Sequence, residues 1–336
     1  MVFCPLCVPW ILGGQPHSHG FQAVAALKKQ TTVMDDAIRK AEALIEARSY
    51  IQMFRDKLTV IKLGGSAMED AAALEATLQD VVFMATVGLR PILVHGGGKP
   101  IDRAMARSGL QPRKIQGRRY TDAATLDIVV NVLLHEINEG IVLSIRRLGG
   151  RAVGLHSGSL QSLFGERLRL PGADGQFIDL GFVGRVTKVE GALIESFCAG
   201  GVVPVIPSVA VDTTTGETPV PLDRPESWLN VNADTAAAAV AAHLRAEKLV
   251  FLTDTPGILM DRGRPDSLLP SLDATRCREL IERRVIDEGM IPKVEACLDS
   301  VRAGVRKTHV IDGRLPHSLL LEIYTDRGVG TEITLN

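Results

Sequence analysis

The 336-residue chain is short of several things, and each shortage excludes a class of protein. Aromatic residues make up only 4%, so close helix-on-sheet packing has to come from Ala, Val, Leu and 32 glycines. The net charge of −1 leaves no basic excess, and no nucleic-acid partner is expected. No run of eighteen apolar residues occurs, so no membrane span is expected. Of five cysteines only Cys198, Cys277 and Cys297 lie in the body of the chain, which is no disulfide framework and reads as a reducing, cytoplasmic compartment. Phosphate fingerprints of the G-x-x-x-x-G-K-[ST] and G-x-G-x-x-G kinds are missing, so P-loop and Rossmann readings fail. HGGG at 95–98 suits an esterase oxyanion hole, but no G-x-S-x-G nucleophile elbow accompanies it.

What is there begins at Met34. Residues 1–33 mix Pro, Gly, His and Cys without period, and no basic region marks a signal peptide. Cys4, Cys7, His17 and His19 do not have zinc-finger spacing. A disordered tail or an over-called start is expected there. From Met34 to Phe54 apolar residues recur at three- and four-residue steps, which predicts an amphipathic helix over 34–56.

Strand and helix patterns then alternate. LTVIKL, RPILVH, RAVGLHS, VVPVIPSVAV, KLVFLTD and THVID read as buried strands, and residues 165–187 as β-hairpins. Ser66 and Glu69 have capping-box spacing, so a helix is expected just after the glycines, and Thr121 is expected to cap a long helix ending at Gly149-Gly150. The alternation predicts an α/β fold: a three-layer αβα sandwich with a mostly parallel central sheet. Two lobes are expected, 57–211 and 212–336, with the Thr- and Pro-rich 212–228 at their boundary.

Ligands of such sheets bind at the carboxyl ends of the strands. Gly64-Gly65 and Gly96-Gly97-Gly98 sit at two such ends, with Lys62 and Lys99 beside them. Glycine lets backbone N–H groups approach an anion, and each turn opens a helix whose N-terminus favours negative charge. A tight turn with nothing bound explains one such pair, but two pairs with lysines suggest a phosphoryl cradle. NVNAD at 230–234 needs only one residue for N-capping yet offers two amides and a carboxylate. TDTPG at 253–257 ends a strand, and Lys293 falls near the start of a helix.

Together Lys62-Leu-Gly-Gly, His95-Gly-Gly-Gly, Arg119-Tyr-Thr-Asp, Asn230-Val-Asn-Ala-Asp, Leu252-Thr-Asp and Gly289-Met-Ile-Pro-Lys293 resemble, in this order, the amino acid kinase family. The resemblance spans about residues 34–336, and within the family it points to the members acting on N-acetyl-L-glutamate. It implies ATP, with Mg2+ on its phosphates and no protein metal ligands. It implies that Lys62 and Lys293 neutralise charge on the transferring and leaving groups, with Asp234 holding both. It implies backbone donors at Gly65, Gly97 and Gly98, carboxylate binding by Arg119 or its neighbour Arg118, and an amide contact from Asn230. Gly64, Thr253, Asp254 and Gly257 fall where the family meets the nucleotide. For the two lobes the resemblance implies an acceptor substrate on 57–211 and a nucleotide on 212–336. The N-terminal helix and residues 309–333 resemble those of the arginine-inhibited hexamers, which implies L-arginine as feedback inhibitor and a trimer of dimers, or otherwise a dimer. No fused acetyltransferase is expected after Asn336. Glu288 stands where the family often has Gly, and residues 212–228 are longer than expected, which leaves a same-fold kinase acting on N-acetyl-aminoadipate or another amino acid open as an alternative. A non-catalytic arginine sensor is the other alternative, and the surviving lysines and Asp234 oppose it.

Overall fold

Near-continuous apolar runs form parallel strands because both faces of such a sheet are covered. The computed structural model follows that rule; it describes residues 18–65, 67–156, 160–172, 176–214, 227–286 and 289–335, with side chains from 34 onward. The strands are β1 (Leu58–Leu63), β2 (Arg90–His95), β3 (Lys114–Ile115), β4 (Arg118–Arg119), β5 (Ala152–Gly154), β6 (Leu163–Pro171) and β7 (Phe177–Val189). They continue as β8 (Val203–Pro207), β9 (Val209–Asp212), β10 (Trp228–Val231), β11 (Lys248–Thr253), β12 (Ser271–Asp273), β13 (Lys307–Asp312) and β14 (Thr331–Thr334). The helices are α1 (Ser18–Phe54), α2 (Ala71–Thr86), α3 (Gly98–Arg107), α4 (Ala123–Val130), α5 (Glu139–Arg147) and α6 (Gly191–Ala199). After them come α7 (Ala233–His243), α8 (Ala274–Glu282), α9 (Ile291–Arg302) and α10 (Ser318–Ile323).

Eight strands form the central sheet in the order β12-β14-β13-β11-β1-β2-β8-β5. β14 runs antiparallel to β13, and the pairs from β13 to β5 are parallel. Val60, Ile92, Val94 and Phe251 pack on the face covered by α6, α7, α8 and α9, while Ile61, Leu63, Leu93 and Leu252 pack on the face of α2, α5 and α10. The expected αβα sandwich is therefore present. Beside it β10, β7, β6 and β9 close into a small barrel, and α3 and α4 pack on Val209, Val211 and Trp228.

Four local expectations change. α2 starts later than a Ser66 cap requires: Asp70 accepts from the Ala72 and Ala73 N–H groups at 2.9 and 3.1 Å. Ser66 lies outside the described residues, and Glu69 turns instead to Lys99 and Arg103. Asp122, not Thr121, caps α4 through the Thr125 N–H at 2.8 Å. The long helix is interrupted by a π-helical stretch, Asn131–Asn138, between α4 and α5. VVPVIPSVAV is two strands: β8 ends at Pro207, the Ser208 N–H donates to the His95 carbonyl, and β9 enters the barrel.

The helical run Ala123–Arg147 is long and apolar enough to cross a membrane by length and composition alone. Leu126, Val129, Val132, Leu133 and Ile145 on it are fully buried in the protein core. Helix α1 begins at Ser18, earlier than Met34; residues 1–17, with Cys4, Cys7 and His17, lie outside the described residues, as does Glu288. The chain divides into two contact units, Met1–Ser49 and Tyr50–Asn336, and the sheet, the barrel and both cavities below belong to the second.

Candidate active site

Alternation along β1 decides where Lys62 goes. Successive strand side chains point to opposite faces. Val60 faces the α7 layer and Ile61 and Leu63 face the other, so Lys62 is delivered to the α7 side. Helix α7 is alanine-rich, with Ala236, Ala237 and Ala241 fully buried, so it lies close to the sheet. Asn232 caps it, its Oδ1 accepting from the Asp234 and Thr235 N–H groups at 2.9 and 3.0 Å. That leaves the Asp234 carboxylate in the first turn, level with the end of β1.

There the two meet. Lys62 Nζ lies 2.8 Å from Asp234 Oδ1, and Lys293 Nζ, from the first turn of α9, lies 3.2 Å from Oδ2. Lys62 is 7% exposed and Asp234 6%. Burial alone would raise the Asp234 carboxyl; the charges of Lys62 and Lys293 outweigh it and hold the group below its ordinary value.

This carboxylate stands between two cavities. The first, about 240 Å³, is lined by Lys62, Gly65, Gly96, Gly97, Gly98, Arg118, Arg119, Ser208 and Asn230. The second, about 440 Å³, is lined by Thr253, Asp254, Gly257, Ile258, Ile286, Met290 and Lys293. Helix α3 opens at the first and α9 at the second, and neither has a side-chain cap. In α3 this leaves the Gly98 and Lys99 N–H groups for an anion. In α9 Pro292 has no N–H and the Lys293 N–H donates to the Met290 carbonyl at 3.0 Å, so the Lys293 ammonium is the main anion-binding group there.

Most residues singled out in the sequence come together here. Arg119 is anchored to Asp102 at 2.7 Å and is largely buried. Asn230 donates from Nδ2 to Thr121 Oγ1 at 3.1 Å, and Thr121 in turn donates to the Arg119 carbonyl at 3.2 Å. Sequence reasoning gave Thr121 a capping role and missed this positioning one, because Asn230 is far away in the chain. It also missed Ser208 of the first cavity and Ile286 of the second, where an ordinary apolar residue carries no signal, and it gave Met290, although within the Gly289–Lys293 stretch, no role of its own. Lys99 departs from expectation: it is exposed, pairs with Glu69, and is absent from the lining of both cavities. Gly64 lines neither cavity. A Cβ there would sit 2.6 Å from the Leu252 carbonyl oxygen, whereas one at Gly65 would meet nothing within 4 Å.

That contrast gives a prediction. Gly64→Ala forces β1 and β11 apart and is expected to lower stability by roughly 1–3 kcal/mol, the usual cost of overpacking. Gly65→Ala leaves the melting temperature in place and impairs only turnover. Thermal melts beside kinetics check both, and equal stability losses would remove the distinction.

Behind the second glycine turn lies His95, fully buried and pushed down to about 4 by burial. A base whose folded value lies below the unfolded 6.5 stabilises the neutral-pH fold, and that stability is lost as pH falls from about 6.5 to about 4. The full loss is roughly 3 kcal/mol at 1.36 kcal/mol per pH unit. His95→Asn is expected to flatten the unfolding free energy across that window in urea titrations. An unchanged slope would show that His95 is not the titrating group.

An ion-paired carboxylate between two cavities at the strand ends is an arrangement suited to phosphoryl transfer. The chain belongs to the amino acid kinase family, whose model matches residues 57–312. It is 47% identical over 299 residues to an acetylglutamate kinase of Pelotomaculum thermopropionicum, covering 88% of this chain and 97% of that one. An acetylglutamate kinase of Synechococcus elongatus is 43% identical, with 88% and 93% covered. Among solved structures, the N-acetylglutamate synthase of Neisseria gonorrhoeae with coenzyme A and N-acetyl-glutamate has a TM-score of 0.73 at 24% identity, over 88% of this chain and 63% of that chain. The same synthase with coenzyme A and L-arginine gives 0.71 at 23% identity, over 88% and 65%.

Proposed function

We propose that this protein transfers the γ-phosphoryl group of ATP to the side-chain carboxylate of N-acetyl-L-glutamate, giving an acyl phosphate for arginine synthesis. The observation that carries the reading is Asp234 holding Lys62 and Lys293 at 2.8 and 3.2 Å between two cavities. The names of relatives at 43–47% identity support the substrate.

The acceptor carboxylate has an ordinary pKa of about 4.3, so it is already a nucleophile and needs no general base. The obstacle is repulsion between that anion and the nucleotide, which positioning and charge neutralisation overcome. Acetylglutamate occupies the first cavity, its α-carboxylate on Arg119 with Arg118 beside it and its acetamido group near Asn230. A guanidinium binds a carboxylate at two points. ATP occupies the second cavity, against Thr253, Asp254 and Gly257. Lys62 meets the transferring phosphoryl, and Lys293 meets charge building on ADP. Gly65, Gly97 and Gly98 offer backbone donors. Among the described residues no cluster of three His, Cys, Asp or Glu could hold a metal, and both Asp234 oxygens face lysines. Mg2+ is read as entering with the nucleotide, as MgATP, the substrate form. Residues 57–211 serve mainly the acceptor, 212–336 mainly the nucleotide, and the compartment is the cytoplasm.

L-Arginine is the proposed feedback inhibitor. The segment 309–333 carries a buried charged cluster: His309 Nδ1 lies 2.7 Å from Glu322 Oε1, and His309 Nε2 lies 3.1 Å from Lys248 Nζ. The arginine-bound synthase of the same fold supports the reading. Helix α1 is proposed to join dimers into a hexamer; Met34, Ile38, Leu44 and Ile45 on it are exposed. A chain beginning at Lys57 is expected to run as a dimer on a sizing column, and an unchanged oligomer would sink the joining role.

The direct test mixes protein, MgATP and N-acetyl-L-glutamate, traps acyl phosphate with hydroxylamine, and repeats with N-acetyl-L-aminoadipate, glutamate and aspartate. Hydroxamate from acetylglutamate is expected. Hydroxamate from aminoadipate instead would keep the mechanism and change the substrate. Arginine binding without any hydroxamate would make the protein a sensor.

A further inference from the structure

The glycine turn after β2 is held from behind by a hydrogen-bond relay that the chemistry above does not use. Asn138, the last residue of the π-helical stretch, is 1% exposed. Its Nδ2 lies 3.0 Å from the Val205 carbonyl oxygen and 3.0 Å from His95 Nε2. His95 Nδ1 lies 3.2 Å from the Gly96 carbonyl oxygen. Donor accounting orders the relay. The Asn138 amide has two hydrogens, and Val205 takes one. His95 Nε2 therefore accepts the other, and the proton of the neutral ring sits on Nδ1 and is donated to Gly96.

The relay fixes a peptide plane. In a trans peptide the C=O and N–H bonds point to opposite sides. Turning the Gly96 carbonyl onto His95 turns the Gly97 N–H away from the core. Gly96, Gly97 and Gly98 line the first cavity, and no acceptor among the described residues takes the Gly97 N–H. From the side, Leu133 and Ile137 pack so tightly that a Cβ on Gly97 would lie 2.7 Å from each. Room for Asn138 comes from Gly154, which pairs with Val205 across β5 and β8; a Cβ at 154 would overlap Asn138 Oδ1.

We propose that His95 and Asn138 are positioning residues for phosphoryl transfer, locking the Gly96–Gly97 peptide so that the Gly97 N–H meets the transferring group. This rests on the kinase reading above. The π-helical stretch then has a purpose: it sets Asn138 beneath His95 while Leu133 and Ile137 close on the turn.

The test compares two polar replacements of one buried ring. In His95→Asn the carboxamide nitrogen falls near the Nδ1 position and can still donate to Gly96. In His95→Gln the carboxamide falls near Nε2, reaching Asn138 but releasing Gly96. His95→Gln is expected to lower kcat about 100-fold, the usual loss of one preorganised donor, with KM for both substrates nearly unchanged. His95→Asn recovers most of that turnover, although both variants lose similar melting temperature. A His95→Gln enzyme with wild-type kcat, or a His95→Asn enzyme as slow as it, would overturn the proposal. A second readout does not require turnover. In protein with 15N-labelled glycine, the Gly97 amide is expected to shift on adding MgADP with aluminium fluoride, a mimic of the phosphoryl in transit. The shift is lost in His95→Gln. A Gly97 amide that ignores the mimic in the wild-type protein overturns the positioning role, whereas wild-type protein without hydroxamate overturns the kinase reading.

Discussion

Asp234→Ala is expected to abolish turnover and to remove roughly 3–5 kcal/mol of stability, the cost of breaking a buried ion pair by deleting one partner. The size follows from what remains. Lys62 stays 7% exposed at the end of a buried strand, and Lys293 stays beside it, with the carboxylate that held both now gone. Two ammonium groups then face each other with Lys62 largely out of water, so their repulsion is screened less than at the surface. Asp234→Asn keeps the shape and loses the charge, so the same conflict remains without the cavity. Urea unfolding at pH 7 beside hydroxamate kinetics measures both effects. A stability loss under about 1 kcal/mol would mean that the lysines find water or other partners, and the clamp would be reduced to a catalytic role.

Lys62→Met is expected to separate activity from stability in the opposite way. Asp234 keeps its pairing with Lys293 at 3.2 Å, so no buried charge is orphaned, and methionine fills the volume of the lysine stem. Folding should be nearly unaffected. Turnover should fall by about 1000-fold, because the charge meeting the transferring phosphoryl is gone. KM for ATP should move little, since Lys62 lines the first cavity and is absent from the lining of the second. A folded variant with near-wild-type turnover would take Lys62 out of the mechanism. A large rise in KM for ATP with kcat intact would place it on the nucleotide in the ground state.

What the sequence by itself determined about this protein is what is written in short range. Apolar runs ending in glycine marked β1 and β2 and the turns that follow them. NVNAD marked the start of α7, and the β-α alternation marked a parallel sheet covered on both faces. Those signals work because periodicity and the freedom of glycine act over a few residues. Tertiary structure decided everything that joins distant segments. It brought Lys62, Asp234 and Lys293 to one point, though they stand on β1, α7 and α9. It gave Thr121 to Asn230 instead of to a helix cap, and it turned Lys99 outward onto Glu69. It split one apolar run at Ser208 into a strand of the sheet and a strand of the barrel: the Ser208 N–H still donates to the His95 carbonyl of β2, while its carbonyl accepts from the Val231 N–H of β10. It inserted the π-helical stretch that carries Asn138 to His95. None of these has a local signal. A hydrogen bond or ion pair between residues far apart in the chain forms only once the sheet order has fixed which strand ends are neighbours.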